Sequence, residues 1–427
     1  MKKILLILGC LYGVVSAQQR VVPDASPLHR AEKVVTDIMV HDIFSPPVAS
    51  RIYLYTNIAA YEVLVKAYPG EHRSLHGQVN GFPDLPGPRE TIDGGLAAVY
   101  AFLTVGKRLL FSESVVEDSL SRILAGYGRS AVFDASLRYG RQAADSIIAW
   151  ADKDQYKETR KLPRYRFIKK EGKWLPTPPA YMSAVEPYWN RIRTVTLDSA
   201  SQFRPAPPVE FSKDTGSAFY RQAYEVYEAG NRLTAGEKDI ANFWDCNPFA
   251  VTMEGHLNYA VKKISPGGHW ISIVAIAARK KGSDMLEASL LYTMSSIALF
   301  DAFIACWDEK YRSNVIRPET YIDAYINEGW RPLLQTPPFP EYNSGHSVIS
   351  AATATVLEGL LGDHFAFDDT SEEEFGLPAR AFTSFRAAAE EAAVSRFYGG
   401  IHYKAAISGG LVCGKNIGQW VLERIHL

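Results

Sequence analysis

Three short patterns in the last third of this 427-residue chain carry the side chains that chemistry on an anion would need. Lys310 is followed by six residues and then Arg317-Pro318; Ser344-Gly345-His346 lies within the stretch EYNSGHSVIS; Ser395-Arg396 is followed by five residues and then His402, in SRFYGGIH. Lysine offers a compact positive charge, and arginine offers a planar fork of donors that fits two oxygens of a tetrahedral anion. If Asn343 caps a helix, the N–H groups of the next residues point outward and the helix dipole favours negative charge there. Gly345 lets an anion come close to the backbone, the Ser344 hydroxyl adds a donor, and His346 can give or take a proton near neutral pH. Arg396 should end a helix, Gly399-Gly400 allows a sharp turn, and His402 should open the final helix. Taken singly, these are a solvated basic segment, a capping turn with a surface histidine, and a core histidine. Taken together they suit one task, which is holding a tetrahedral oxyanion and doing acid–base or nucleophilic work on it.

Such groups must be carried by elements that converge. Lys310 and Arg317 are spaced by two turns of one helical face, although Pro318 pushes Arg317 toward an extended conformation; both can reach one point from a helix end. Apolar periodicity of helix length begins near Pro46, in PPVASRIYLYTNIAAYEVLVKAY, and recurs over 94–111 and 136–151. Between 153 and 214 the text turns charged, aromatic and proline-rich, which suits an ordered, wrapping connection better than long helices. Helical patterns return from 215 onward, including GHWISIVAIAARKKG, SDMLEASLLYTMSSIALFDAFIACWDEKY, SVISAATATVLEGLLG with Gly362 as C-cap, PARAFTSFRAAAEEAAVSRFY and HYKAAISGGLVCGKNIGQWVLERI. No stretch alternates long enough for a substantial sheet, and neither an internal repeat nor a low-complexity tract occurs. The expectation is an all-α helical bundle. Its parts are a signal peptide over 1–17, an N-terminal helical region over 18–152, the connection over 153–214, and a helical catalytic domain over 215–427.

Composition narrows the function. Forty-six basic against 47 acidic side chains leave a formal charge of −1, so nothing points to nucleic acid or an anionic membrane, and 47% hydrophobic residues support a real core. The opening MKKILLILGCLYGVVSAQQR reads as an export signal with cleavage after Ala17, and lipoprotein processing at Cys10 is its rival. Either predicts an exported protein, periplasmic or extracellular. Cys246, Cys306 and Cys413 lack CxxC spacing, so one disulfide is open but neither a zinc site nor a disulfide framework is indicated. The apolar segment 288–300 is too short to span a bilayer, which leaves no transmembrane helix expected in the mature chain.

The three patterns resemble the K-x6-RP, PSGH and SR-x5-H motifs shared by the vanadium-dependent haloperoxidases and the type 2 phosphatidic acid phosphatases. Lys310, Arg317, Pro318, Ser344, Gly345, His346, Ser395, Arg396 and His402 match in order, with Asn343 in place of the motif's proline as the one departure. Upstream, a PP-x-x-x-R opening at 46–51 and a GHW segment at 268–270 are similar to soluble bacterial haloperoxidase-like members; His269 is taken as structural. The resemblance implies that Lys310, Arg317, Ser344, Gly345 and Arg396 bind non-bridging oxygens and that His346 is the acid–base partner. His402 is then either the ligand of vanadate or a nucleophile that takes a phosphoryl group. One pocket serves both because vanadate adopts the shape through which phosphoryl transfer passes. A haloperoxidase would need vanadate, peroxide and halide; a phosphatase would need a phosphate ester and no cofactor. The absence of the lipid phosphatases' transmembrane helices favours the haloperoxidase, as do Trp307 and Phe339, which match pocket-lining aromatics of chloroperoxidase-like members. Homodimerisation is left open.

Overall fold

The computed structural model describes residues 22–254, 257–260 and 262–427; the signal segment and Cys10 lie outside them. Helical periodicity becomes fourteen α-helices among the described residues: α1 Ser26–His41, α2 Pro46–Ala67, α3 Gly94–Leu109, α4 Glu113–Ala125, α5 Ala131–Ala151, α6 Tyr156–Thr159, α7 Ala218–Arg232, α8 Ala235–Phe243, α9 Pro266–Lys281, α10 Met285–Ser313, α11 Pro318–Tyr325, α12 Gly345–Leu361, α13 Phe385–Tyr398 and α14 Lys404–Arg424. Two antiparallel strand pairs complete the fold, β1 Val251–Glu254 with β2 Leu257–Ala260 and β3 Phe367–Asp369 with β4 Arg380–Phe382. The class is all-α, as expected. The segment read as one helix from Pro378 is in fact β4 followed by α13, because Phe382 pairs with Phe367 and Ser384 caps the helix by accepting from the Ala387 N–H.

The 29-residue α10 is the axis of the bundle, capped at its start by Asp284 and packed against α2, α9, α12 and α14. It is long and apolar enough to cross a bilayer, but its apolar stretch is wholly buried, which makes it a core helix. Asn314, at φ 52°, terminates it and returns its N–H to the Lys310 carbonyl. Lys310 and Arg317 therefore do not share a helical face: Lys310 ends α10, while Arg317 is extended (φ −76°, ψ 152°) and precedes α11, as Pro318 demands.

The proline-rich connection is ordered. The Trp174 N–H donates to the Asn314 carbonyl at 3.1 Å and the Ile316 N–H to that of Gly172 at 3.0 Å, which pins the loop between Lys310 and Arg317. Farther along, the buried Asp301 carboxylate of α10 accepts the N–H groups of Val195, Thr196 and Leu197 together with the Thr196 hydroxyl. The main core cluster extends from Ala25 to Ile425, with a second around Phe219, Tyr321 and Tyr403, and Cys246, Cys306 and Cys413 are buried free thiols, so no disulfide joins them.

α12, which begins at Ser-Gly-His, lies against α14 along a row of glycines. A Cβ at Gly410 would come within 2.7 Å of the Ser347 Cβ, one at Gly418 within 2.6 Å of the Ala352 carbonyl, and one at Gly414 would collide with the Val348 carbonyl. The contacts are to backbone carbonyls and a Cβ, none of which a rotamer change can move. Gly414→Ala is expected to destabilise the protein by about 1–3 kcal/mol through overpacking. A urea midpoint unchanged from wild type would show that the α12–α14 contact is looser than described.

Candidate active site

Helix ends build the site. Lys310 comes from the last turn of α10, Arg317 precedes α11, Ser344-Gly345-His346 opens α12, Arg396 lies in the last turn of α13, and His402 sits in the bend before α14. Two placements differ from expectation. The cap of α12 is Ser344, not Asn343: Ser344 has the extended dihedrals of a cap and its hydroxyl accepts from the Ser347 N–H, while the Asn343 carbonyl accepts from Lys310. His402 does not open α14, since Tyr403 is the cap; Gly400 at φ 75° turns the chain so that His402 faces inward instead.

Gly345, His346, Arg396 and His402 line one cavity with Trp307, Phe339, Phe303, Asp245 and Cys246. Its space for water-sized spheres is about 40 Å³, a few times the 10–15 Å³ or so that one water needs. Trp307 and Phe339 meet with ring centroids 5.0 Å apart, and the Trp307 indole N–H is fixed on the Val185 carbonyl. Both aromatics thus wall the cavity and pack in the core.

Arg317 is fully buried. Its Nε donates to the Phe339 carbonyl at 3.0 Å, and its Nη1 donates to the Ile401 carbonyl at 2.8 Å and to His402 Nε2 at 3.2 Å. Arg396 mirrors it, with Nη1 donating to the Trp244 carbonyl and, at 3.2 Å, to His346 Nε2, and with Nη2 3.9 Å from Asp245. Arg317 Nη2 and Arg396 Nε have no hydrogen-bond partner among the described residues. A buried polar group left so costs about 1–3 kcal/mol or more when charged. Burial pushes Arg317 down to about 10 and lowers Arg396 as well.

Lys310 behaves differently. Its ammonium donates to the carbonyls of Pro340 (3.0 Å), Glu341 (3.1 Å) and Asn343 (2.6 Å), and burial pushes it down to about 7. It therefore holds the loop before α12 from behind and does not face the cavity as a free donor. Of the six other sequence-predicted residues, Gly345, His346, Arg396 and His402 line the cavity, Arg317 reaches it through His402, and Ser344 caps the helix behind Gly345.

The group that sequence reasoning missed is Glu341, the first letter of EYNSGHSVIS. Its Oε1 accepts from His402 Nδ1 at 2.9 Å and from the Tyr403 N–H at 3.0 Å. This places the proton on Nδ1 and leaves the Nε2 lone pair toward Arg317. Burial raises Glu341 to about 7 against the opposing pull of Arg317, the Tyr403 N–H and Lys310. Burial, then Arg317, Lys310 and Arg396, hold His402 far below 6.5, and burial, then Arg396, do the same to His346. Two neutral imidazoles, each presenting Nε2 to a guanidinium, are the chemical core of the site. The arrangement can bind an anion with the arginines, donate an electron pair from His402, and take up a proton at His346 when the arginine is drawn elsewhere.

Residues 290–427 match the family model described as the VCPO second helical-bundle domain. Comparison with the curated proteins finds no match. Crystal structures described as apo-type and holo-type bacterial vanadium-dependent chloroperoxidase superpose with TM-scores of 0.67 and 0.66 at 16% identity, covering 89% and 92% of this chain and 94% and 92% of theirs. That likeness establishes the fold. A crystal structure described as the first bacterial vanadium-dependent iodoperoxidase superposes with a TM-score of 0.90 at 48% identity, over 95% of this chain and 98% of that one. The protein belongs to the vanadium-dependent haloperoxidase family, and it is an enzyme of the haloperoxidase type.

The tautomer assignment can be checked directly. Nitrogen-15 NMR of the histidines should show His402 neutral and protonated on Nδ1 throughout pH 6–8, and Glu341→Ala should abolish that preference. A His402 imidazolium at pH 7 in the wild-type protein would contradict the geometry.

Proposed function

We propose that the chain oxidises iodide with hydrogen peroxide, using vanadate held in the cavity lined by Gly345, His346, Arg396 and His402, with Arg317 against His402. The observation that carries this reading is the pair of buried guanidinium–imidazole contacts facing one small cavity. Unpartnered N–H groups on Arg317 and Arg396 fit a group with several oxygens. Gly345 fits it as well: a Cβ there would meet protein atoms only at 3.9 Å and beyond, so packing alone does not require glycine. Iodide is chosen because the 48%-identical relative is an iodoperoxidase and iodide is the most easily oxidised of the common halides.

In this reading His402 Nε2, freed by the Glu341 bond to Nδ1, would hold the vanadium. Arg317, Arg396 and the N–H groups at the start of α12 neutralise the oxygens, and Lys310 adds positive charge from behind the wall. When bound, vanadate supplies a Lewis-acidic centre that makes peroxide electrophilic toward halide. Peroxide, iodide and one proton give hypoiodous acid and water, and His346 is the group that can bring that proton. Trp307, Phe303 and Phe339 keep bulk water out, so each charge–dipole contact acts at low dielectric. Export is part of the proposal, supported by the leader-like residues 1–17; it would release a reactive oxidant outside the cytoplasm.

The vanadate-loaded protein should form triiodide from iodide and peroxide, with negligible hydrolysis of p-nitrophenyl phosphate. His402→Ala should abolish this turnover in a folded protein, and Arg396→Ala should weaken vanadate binding by about 2 kcal/mol or more. Vanadate-inhibited phosphate hydrolysis without iodide oxidation would overturn the proposal in favour of a phosphatase that works through a phosphohistidine on His402.

Lys310 sets a pH signature. An anion favours the protonated ammonium, so affinity should level off below about 7 and fall above it by up to about tenfold per pH unit. Lys310→Met, measured by calorimetry in the same buffers, should bind more weakly and remove that extra slope. Identical slopes in the two proteins would rule out a role for Lys310 charge.

A further inference from the structure

Beside the active cavity, in the bundle interior, lies a second cluster that the halide chemistry does not use. Cys246 is two residues past Trp244 in the loop after α8, His269 is in the first turn of α9, and Glu372 follows β3; all three are buried, with 2%, 0% and 6% of their surface exposed. We propose that Cys246 Sγ, His269 Nδ1 and Glu372 Oε1 bind a zinc-type transition-metal ion, which clamps the loop forming one wall of the active cavity.

The donor atoms are arranged as edges of a coordination polyhedron. Nδ1 lies 3.3 Å from Sγ and 3.2 Å from Oε1, and Sγ lies 3.9 Å from Oε1. A tetrahedral zinc with bonds of about 2.3 Å to sulfur and about 2.0 Å to nitrogen and oxygen needs edges of about 3.5, 3.3 and 3.5 Å in that order. Each observed separation is within about 0.4 Å of that figure. In the ion-free cluster the ring donates Nε2–H to Asp369, and the single hydrogen on Nδ1 is shared between Sγ and Oε1. A cation at their common focus satisfies all three at once.

The surroundings are those of a ligating histidine. His269 Nε2 donates to Asp369 Oδ2 at 2.8 Å, and the other oxygen of Asp369 accepts from the Ser371 N–H at 3.0 Å and the Ser371 hydroxyl at 2.6 Å. This carboxylate–imidazole pair puts a proton on Nε2 and turns Nδ1 toward Cys246 and Glu372, the orientation of a ligating imidazole. Thiolate, imidazole and one carboxylate oxygen form a borderline-soft set that suits zinc and its neighbours and disfavours calcium and magnesium. The thiolate and carboxylate bring two negative charges, which a divalent ion cancels inside a buried site.

The clamp reaches the active cavity through adjacent residues. The Trp244 ring stacks on His269 with centroids 4.4 Å apart, its carbonyl accepts from Arg396, and Asp245 lies 3.9 Å from the same guanidinium. Fixing Cys246 therefore fixes the partners of Arg396.

The test uses the full chain with zinc and cobalt(II) alone as probes. After equilibration and desalting, mass spectrometry of the metals should find about one zinc per chain. Cobalt(II) should give a thiolate-to-metal charge-transfer band in the near ultraviolet and tetrahedral d–d bands in the visible. Cys246→Ser should remove the charge-transfer band, and stripping with a chelator should lower the melting temperature of the wild type. Asp369→Asn, which keeps all three ligands, should weaken zinc about 10–100-fold and so remains informative if Cys246→Ser fails to fold. A folded wild-type chain with no stoichiometric zinc and no thiolate band would overturn the proposal, as would a band that survives Cys246→Ser.

Discussion

Two arginines buried in the middle of a helical bundle set the terms for much of this structure. Moving a guanidinium out of water costs several kcal/mol unless its donors are met, and Arg317 and Arg396 are both within 1% of complete burial. The fold meets them mostly with carbonyl oxygens from loops and helix ends: Phe339 and Ile401 for Arg317, and Trp244 for Arg396. Carbonyls are free to do this only where a helix stops or a loop passes, which is why every site element is a helix terminus. One further donor of each falls on His402 and His346, while Arg317 Nη2 and Arg396 Nε stay unpartnered, so burial together with these arginines keeps both imidazoles neutral.

Around that centre, the rest of the bundle acts as a frame. α10 runs through the core and delivers Lys310, the glycine row of α14 brings α12 into backbone contact, and the connection over 153–214 ties down the loop between Lys310 and Arg317. Lys310 shows how position changes role. Its three carbonyl partners make it a brace for the loop that starts α12, and the charge it adds depends on pH because burial, with Arg317, holds it near 7.

Much of the site was legible in the sequence because its residues come in short, local patterns whose spacing survives without the fold. Arg317 before a proline, glycines before His402 and a serine ahead of Gly-His each carry a backbone constraint that can be read from neighbours. What was not legible is what depends on distant partners. Glu341 is an ordinary acidic residue until the chain brings His402, 61 residues later, against it. Cys246 and Glu372 are 126 residues apart, so no ligand spacing could announce their approach to His269, which looked merely structural. The cap of α12 was misplaced by one residue because Asn343 and Ser344 are both good caps, and only the occupation of the Asn343 carbonyl by Lys310 separates them. In the same way β4 was hidden in a helix-like segment, since its pairing with β3 is a tertiary event.

The central proposal is that His402 and the two buried arginines would hold one vanadate. Its most direct test is a crystal structure of the vanadate-treated protein with diffraction recorded on both sides of the vanadium absorption edge. The account predicts a single strong anomalous peak in the cavity, at bonding distance from His402 Nε2 and within hydrogen-bond reach of Arg317 and Arg396. A peak elsewhere, or none at a vanadate concentration that supports turnover, would contradict it.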